Sequence, residues 1–247
     1  MVKGEYTLDS LRSSLVRQED TIIFGLIDRA KFPFNSPTYT TLIPHFSLSL
    51  LQFLVHNIEA IHAQAGRYNS PEETPFFPEN LPPSIVPNHT FSQFLRPAAA
   101  SININKFIWK MYFHELLPIF VASGDDGNYA QTAASDLSLL QAISRRIHYG
   151  KFVAEAKFRE SPKDYEPLIR AKDREALMKL LTSKSVEEMV IKRVEKKAMV
   201  FGQEVSVDNV VKGKYKVDPL MVSHLYKKWL IPLTKIVEVE YFLHLLD

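Results

Sequence analysis

Proline is distributed very unevenly along this chain of 247 residues. Ten of its fifteen prolines lie between Pro33 and Pro97, and only five follow in residues 98–247. Proline has no amide hydrogen to donate, and its ring clashes with the preceding turn of a helix, so dense prolines exclude long helices. The distribution therefore predicts a loop-rich segment early in the chain and a largely helical remainder.

Apolar residues outside the proline-dense segment recur every three or four positions, which is the period of one face of a helix. We expect the final run to bend near Pro232, because proline interrupts the hydrogen-bond ladder of a helix. Together the runs predict an all-α fold, a single-domain helical bundle of about a dozen helices over residues 1–247. The runs are 8–27, 47–67, 102–121, 128–159 and 218–247.

Two segments are expected to lie outside regular helices. Residues 69–91 carry six prolines and are too long for a simple connector. Phe76 and Phe77 predict that this proline-rich loop packs onto the body of the protein. Residues 211–217 alternate between polar and apolar like a strand, but a single strand cannot form a sheet, so we predict a loop there.

Composition excludes several classes of protein. The chain has no cysteine, which excludes disulfides, thiolate metal sites and cysteine nucleophiles. A formal net charge of +2 is too small for the basic surface that a nucleic-acid-binding protein needs. Polar residues interrupt every apolar stretch before the roughly 18 residues of a membrane span, and the start of the sequence shows no signal or transit pattern. We therefore expect a cytosolic protein that binds neither nucleic acid nor a membrane.

Motifs for metal, phosphate or nucleophilic chemistry are incomplete in this sequence. His114 and Glu115 begin like a zinc-protease helix, but the second histidine is missing. The turn at residues 124–127 lacks the lysine and the hydroxyl residue that complete a phosphate-binding loop. There is also no Gly-x-Ser-x-Gly nucleophile elbow. The sequence therefore predicts no metal and no cofactor.

One predicted helix face carries two cations with a glycine between them. The cations Arg146 and Lys157 are about 16 Å apart along the axis, and the face is only about 40° wide. Glycine in a helix costs about 0.5–1 kcal/mol relative to alanine, so Gly150 suggests space for an anionic ligand. The alternative is that the cations face solvent and Gly150 marks a helix break. This first face consists of Arg146, Gly150, Val153 and Lys157.

Thr234 and Glu238 share a second helix face, which could be functional or solvated.

Four long stretches, in order over nearly the whole chain, resemble the eukaryotic all-helical chorismate mutases and most closely the plant cytosolic form. The resemblance implies a homodimer whose small-molecule substrate is chorismate. It also implies a rearrangement to prephenate, for phenylalanine and tyrosine biosynthesis, without covalent intermediate, metal or cofactor. The stretches are LVRQEDTIIF at 15–24, SPEETPFF at 70–77, SRRIHYGKFVAEAKF at 144–158 and IPLTKIVEVEY at 231–241.

The same resemblance implies which side chains bind the two carboxylates and the ether oxygen of the substrate. Arg12 and Arg146 would each bind a carboxylate through a two-pronged guanidinium. Lys157 would reach one carboxylate and the ether oxygen, and Thr234 would add a donor to a carboxylate. Glu238 would lie beside the ether oxygen. Lys157, Glu238 and Arg146 are thus the expected catalytic residues.

The ring hydroxyl of the substrate has its own expected partners. By resemblance, Glu187 would accept a hydrogen bond from this hydroxyl. Ser183 occupies the position of an asparagine that lies near the hydroxyl in a yeast relative, so a contact from Ser183 is left open.

Regulated members of this family bind aromatic amino acids through two arginines and a Gly-Ser pair. Here Gly66 replaces the first arginine and only Arg67 remains. Ala130 and Gln131 replace the Gly-Ser pair. Losing a guanidinium removes one partner for an effector carboxylate, so we expect no regulation by aromatic amino acids.

Two other classes remain open from sequence. The chain could be a non-catalytic helical adaptor that binds anionic partners, or an inactive mutase homologue kept for dimerisation. An adaptor would not need acidic and hydroxyl partners such as Glu187, Thr234 and Glu238 beside its cations. An inactive homologue would carry a substitution among the six implied positions, and none is present.

Overall fold

The protein is described by a computed structural model over residues 6–43, 47–79, 81–87, 94–97, 101–205 and 211–246, without the side chains of 205 and 211–213. Helices dominate these residues, which confirms the predicted all-helical class. The α-helices are α1 (Leu8–Arg29), α2 (Pro37–Thr40), α3 (Leu50–Gln64), α4 (Asn105–Met111), α5 (Leu117–Phe120), α6 (Tyr129–His148), α7 (Gly150–Glu160), α8 (Pro162–Arg170), α9 (Arg174–Leu181), α10 (Lys184–Gly202), α11 (Pro219–Leu225) and α12 (Ile231–Leu243).

The long helix α1 lies along α6 and also contacts α7 and α10. It begins at a capping box in which the Thr7 side chain accepts from the Ser10 amide and the Ser10 side chain accepts from the Thr7 amide. Its apolar face, with Ile22, Ile23 and Leu26, belongs to the main hydrophobic core. Helix α12 packs against both α7 and the end of α6, so α1, α7 and α12 all meet near the junction of α6 and α7.

Two π-helical turns interrupt the helices just before prolines. Tyr112–Leu116 joins α4 to α5 ahead of Pro118, and Tyr226–Leu230 joins α11 to α12 ahead of Pro232. A proline lacks the amide that would bond to the carbonyl four residues earlier, and its ring clashes with that carbonyl. A π-turn widens the helix locally and relieves this conflict. The irregularity expected near Pro232 is thus a π-turn within the helical C-terminal segment.

The prediction of a loop for residues 211–217 is wrong, because Val211–Tyr215 form a strand. Strand β1 (Gln203–Val205) pairs antiparallel with β2 (Val211–Tyr215), with Gln203 opposite Tyr215. The partner strand is only three residues long and directly follows α10, which is too short to show an alternating pattern of its own. The missing partner was therefore invisible in the sequence.

The described part of the proline-rich loop is held by a buried carboxylate of α3. Glu59 accepts hydrogen bonds from the Phe76 amide at 2.6 Å and the Phe77 amide at 2.9 Å. The Phe76 side chain is buried in the main core, and the Phe77 ring lies 5.4 Å from that of Trp109. The loop therefore lies against α3 and α4. Residues 80 and 88–91 of this proline-rich loop lie outside the described residues.

No helix in the described ranges is long and apolar enough to cross a membrane.

Candidate active site

Four of the predicted site residues come together where α6 ends, α7 begins and α12 crosses both. The Nη1 of Arg146 donates to the Thr234 hydroxyl at 3.2 Å. The Nζ of Lys157 lies 2.8 Å from Oε2 of Glu238. Arg146, Thr234 and Glu238 are buried, whereas the Lys157 side chain is 26% exposed. The two faces identified in the sequence are therefore opposite each other, and each cation contacts a residue of α12.

Gly150 explains how α12 can approach so closely. A Cβ built on Gly150 would lie 2.8 Å from the backbone oxygen of Thr234 and 3.3 Å from Cγ of Glu238. The interpretation that this glycine leaves space for a ligand is wrong, because α12 itself fills the space. The helix does end at His148 and restart at Gly150, but Tyr149 between them keeps right-handed helical dihedral angles (φ −62°, ψ −15°).

The buried guanidinium of Arg146 is only partly paired. Its Nε has no hydrogen-bond partner in the described part of the chain. Burial lowers the pKa of Arg146, against the opposing effects of Tyr226 and of the carboxylates of Glu19 and Glu238. A buried donor without a partner costs about 1–3 kcal/mol. The Arg146 Nε is therefore a buried donor that is able to bind an anionic group.

One buried carboxylate, whose charge acts on Arg146, was not predicted from the sequence. Glu19 of α1 is fully buried and receives two hydrogen bonds from Arg193 of α10, at 2.9 and 2.6 Å. Lys197 Nζ lies 3.0 Å from the same carboxylate. These contacts fasten α1 to α10 beside the site. The sequence did contain a signal, because Glu19 is an acidic residue on the apolar face of α1, and buried charges are normally paired.

Glu187 is also paired with a residue that the sequence analysis missed. The Nζ of Lys235 lies 2.8 Å from the Glu187 carboxylate and donates to the Thr182 hydroxyl at 3.1 Å. Lys235 directly follows Thr234 on α12, so these contacts join α12 to the end of α9 and the start of α10. The negative charge of Glu187 is balanced, and this carboxylate is held in place.

Two other predicted residues, Arg12 and Ser183, are also outside this group of four. Arg12 is exposed, and its Nη1 donates to Asp9 at 2.9 Å instead of pointing toward Arg146. The reason is local, since Asp9 lies three residues earlier on the same face of α1 and offers a carboxylate. Ser183 is exposed before α10, with its hydroxyl 3.4 Å from that of Ser185. The contact of Ser183 with the ring hydroxyl of the substrate stays open.

The residues expected to be remnants of an effector site lie elsewhere, beside α3 and α6. Gly66 has a positive φ of 78°, and Arg67 follows it in a short 3₁₀ turn. The Arg67 guanidinium donates to Glu73 at 3.0 Å and to Gln141 at 3.0 Å. Arg67 also borders a cavity of about 190 Å³ between α1 and α6. Ala130 and Gln131 are exposed in the first turn of α6.

No group of three His, Cys, Asp or Glu side chains in the described ranges is placed to hold a metal ion. The polar groups at the α6–α7–α12 crossing are instead two cations, one carboxylate and a hydroxyl, and the next residue of α12, Lys235, forms a second ion pair with Glu187. Such a set can bind a small anion through charge-assisted hydrogen bonds and can stabilise negative charge that develops on an oxygen.

Comparison with known proteins gives one consistent family. Residues 128–239 match the family model described as Chorismate mutase type II. The chain is 61% identical to Chorismate mutase 2 of Arabidopsis thaliana, covering 98% of this chain and 94% of that protein. It is 50% identical to cytosolic Chorismate mutase 2 of Zea mays, covering 98% and 97%. The crystal structure of AtCM1 with tyrosine bound in its allosteric site superposes with a TM-score of 0.91 at 49% identity, covering 100% and 99%. The predicted family is confirmed, and the chain belongs to the chorismate mutases.

Proposed function

We propose that this chain converts chorismate into prephenate at the crossing of α6, α7 and α12. The observation that supports this most strongly is the buried, incompletely paired Arg146 on the same face as Lys157. Chorismate carries two carboxylates, and a buried guanidinium with a free donor is suited to one of them. The product would supply phenylalanine and tyrosine biosynthesis.

The reaction needs the substrate to be folded rather than attacked. The ether C–O bond breaks while a C–C bond forms within the same molecule, and no proton or other group is transferred. Catalysis then depends on holding the enolpyruvyl arm over the ring and on a fixed positive charge beside the ether oxygen as it becomes negative. In this proposal Arg146 fixes a carboxylate, the Thr234 hydroxyl turns from the Leu230 carbonyl to donate to the same carboxylate, and Lys157 stabilises the ether oxygen.

The remaining family positions complete the proposed site. Glu187, oriented by Lys235, accepts a hydrogen bond from the ring hydroxyl. Arg12 binds the second carboxylate after its side chain turns away from Asp9. Two facts support this movement. Arg12 lies seven residues before Glu19, so both are on nearly the same face of α1, and its present ion pair is exposed and therefore weak.

The direct test is to incubate the purified chain with chorismate and to measure loss of chorismate and formation of prephenate. We expect saturable turnover far above the rate in buffer, without added metal or cofactor. Turnover no faster than in buffer, by a folded chain, would contradict the proposal and favour an adaptor or an inactive homologue.

Glu238 is proposed to act as a proton-bearing donor beside the ether oxygen. An ionised carboxylate there would repel the developing negative charge, whereas a neutral group can donate to it. Glu238→Gln is therefore expected to keep substantial activity, because a neutral glutamine amide can also donate to the ether oxygen. The measurement is kcat of both proteins under the same conditions. Complete loss of activity in a folded variant would exclude this role.

We also propose that aromatic amino acids do not regulate this protein. AtCM1 binds tyrosine in an allosteric site, but here Arg67 is already paired with Glu73 and Gln141. A larger residue cannot easily replace Gly66, whose φ is positive and whose Cβ would meet Val86 at 2.6 Å. Regulatory effectors typically change affinity by about 5- to 150-fold.

Kinetics with tryptophan, tyrosine or phenylalanine at millimolar concentration test this second proposal. We expect kcat/KM to change by less than about twofold with each amino acid, well below the range of a regulatory effector. A several-fold activation or inhibition by any of the three would show that the site still works.

A cytosolic homodimer is the proposed state of the protein. The similarity to a maize relative named as cytosolic supports the compartment. Exposed apolar side chains support association, since Phe24 of α1 is 53% exposed and stacks on Phe201, and Ile61 of α3 is 57% exposed. Light scattering in solution measures the mass, and a monomer at micromolar concentration would contradict the dimer.

A further inference from the structure

The two π-turns share a sequence pattern. Each follows the pattern Tyr-x-x-x-Leu-(Leu/Ile)-Pro, in which the tyrosine is the first residue of the turn. The two copies run from Tyr112 to Pro118 and from Tyr226 to Pro232. Both tyrosines are fully buried. Tyr112 is therefore an internal reference for Tyr226, because the two residues have the same local backbone setting and the same burial.

The two hydroxyls differ in what they contact. The Tyr112 hydroxyl donates to Asp136 at 2.5 Å, within a buried group that also includes Arg29. The Tyr226 hydroxyl has no hydrogen-bond partner within the ranges that the structure covers. Leaving a buried hydroxyl unpaired is costly, and π-turns occur frequently at functional sites. The missing partner of Tyr226 is thus a feature that needs a functional explanation.

The surroundings of Tyr226 indicate what that partner is. Burial raises its pKa, so the side chain stays a neutral O–H donor. The π-turn that carries Tyr226 packs against α6, the helix of Arg146, and against α10, the helix of Arg193, and the charges of Arg146 and Glu19 act on its hydroxyl. One π-turn later, the Leu230 carbonyl accepts from the Thr234 hydroxyl at 2.7 Å, and Thr234 itself contacts Arg146.

Among the described residues, the site therefore contains two buried donor groups without partners, the Arg146 Nε and the Tyr226 hydroxyl. A carboxylate accepts several hydrogen bonds at once and donates none. We propose that the Tyr226 hydroxyl donates a hydrogen bond to the same substrate carboxylate that Arg146 binds, which makes Tyr226 a further substrate-binding residue. This inference rests on the proposed function of the site.

Tyr226→Phe and Tyr112→Phe form a matched pair, because each removes one buried hydroxyl from the first position of a π-turn. For Tyr226→Phe we expect KM for chorismate to rise by about 10-fold, the effect of losing a hydrogen bond to a charged group. The change in kcat should stay within about threefold, because the carboxylate is bound equally in the ground and transition states. Without ligand, the melting temperature of Tyr226→Phe should equal or exceed that of the unaltered chain.

Tyr112→Phe is expected to show the opposite behaviour. Asp136 loses a donor, so the melting temperature should fall, whereas KM should stay within about twofold of the unaltered chain because no substrate contact is lost. Titration calorimetry with an oxabicyclic dicarboxylate that mimics the folded substrate provides a second readout. Its Kd should weaken with Tyr226→Phe by about the same factor as KM and should not change with Tyr112→Phe.

Two results would overturn the inference. One is that KM and Kd of Tyr226→Phe stay within about twofold of the unaltered chain. The other is that both variants raise KM equally, which would mean a general effect of losing a buried hydroxyl. If the unaltered chain is active, either result refutes only the role of Tyr226. If the unaltered chain is inactive, the proposed function itself is refuted.

Discussion

Lys157→Ala is expected to lower kcat for the proposed reaction by about 100- to 1000-fold, the usual cost of removing a donor aimed at a developing negative charge. Lys157 is the partly exposed cation of the site, held 2.8 Å from Glu238 at the end of the face that begins with Arg146. Because its charge acts mainly on the breaking ether bond, the loss should appear in kcat more than in KM. Steady-state kinetics of the purified variant measure both constants.

A matched control separates this effect from the loss of any lysine–glutamate pair. Lys106 Nζ lies 3.8 Å from the Glu79 carboxylate, and both side chains are exposed. Lys106→Ala should leave kcat within about twofold of the unaltered chain, because exposed pairs contribute little. If Lys157→Ala also retained a rate within a few-fold of the unaltered chain, Lys157 would have no part in the mechanism.

Gly150→Ala is expected to lower kcat/KM by about 30- to 100-fold, although the change adds a single methyl group and touches no charged atom. The added Cβ would lie 2.8 Å from the Thr234 carbonyl oxygen, so α12 must move away from α7 by several tenths of an ångström. This shift would stretch both the Arg146–Thr234 and the Lys157–Glu238 contacts, which lie on either side of the glycine. Misplacing reacting groups by about 1 Å can cost about 100-fold in rate.

Gly25→Ala is the control for this variant. Gly25 also lies inside a helix against a neighbouring helix, but its Cβ would meet the flexible end of Leu139 at 3.1 Å. Alanine favours helix by about 0.5–1 kcal/mol over glycine, so this variant should be about as stable as the unaltered chain and should keep its kcat/KM. The prediction for Gly150 fails if both variants lose the same activity, or if Gly150→Ala remains fully active.

The helical class was predictable because proline spacing and apolar periodicity are local properties of the sequence. The β1–β2 hairpin was not, since β1 has only three residues and becomes a strand only by pairing with Val211–Tyr215. The spacing of apolar residues also cannot locate a helix break to a precision of one residue. The run predicted at 128–159 therefore became two helices separated by Tyr149.

The site could be predicted only where one helix carries several of its residues. Helical spacing placed Arg146 with Lys157 and Thr234 with Glu238 on shared faces, and in the structure these faces meet. The sequence of one helix does not show which element packs against it. The prediction that Gly150 leaves space for a ligand was therefore wrong.

The partners that came from distant parts of the chain were missed for the same reason. Arg193 reaches Glu19 across 174 positions of sequence, and Lys235 reaches Glu187 across 48. The direction of the Arg12 side chain depends on the nearest carboxylate, which is that of Asp9. The Glu19 and Glu187 pairs are fixed by tertiary packing, which the spacing of a single sequence does not encode, whereas the Arg12–Asp9 contact is local to α1.

The π-turn at Tyr226–Leu230 amounts to a one-residue insertion into an otherwise continuous helix. Each residue advances a helix by about 100° around its axis. Deleting one residue from this turn would therefore rotate α12 by about that angle relative to α11 and carry Thr234 and Glu238 away from α7. The angular setting of the whole C-terminal half of the site is thus determined by a single extra peptide unit placed ahead of Pro232.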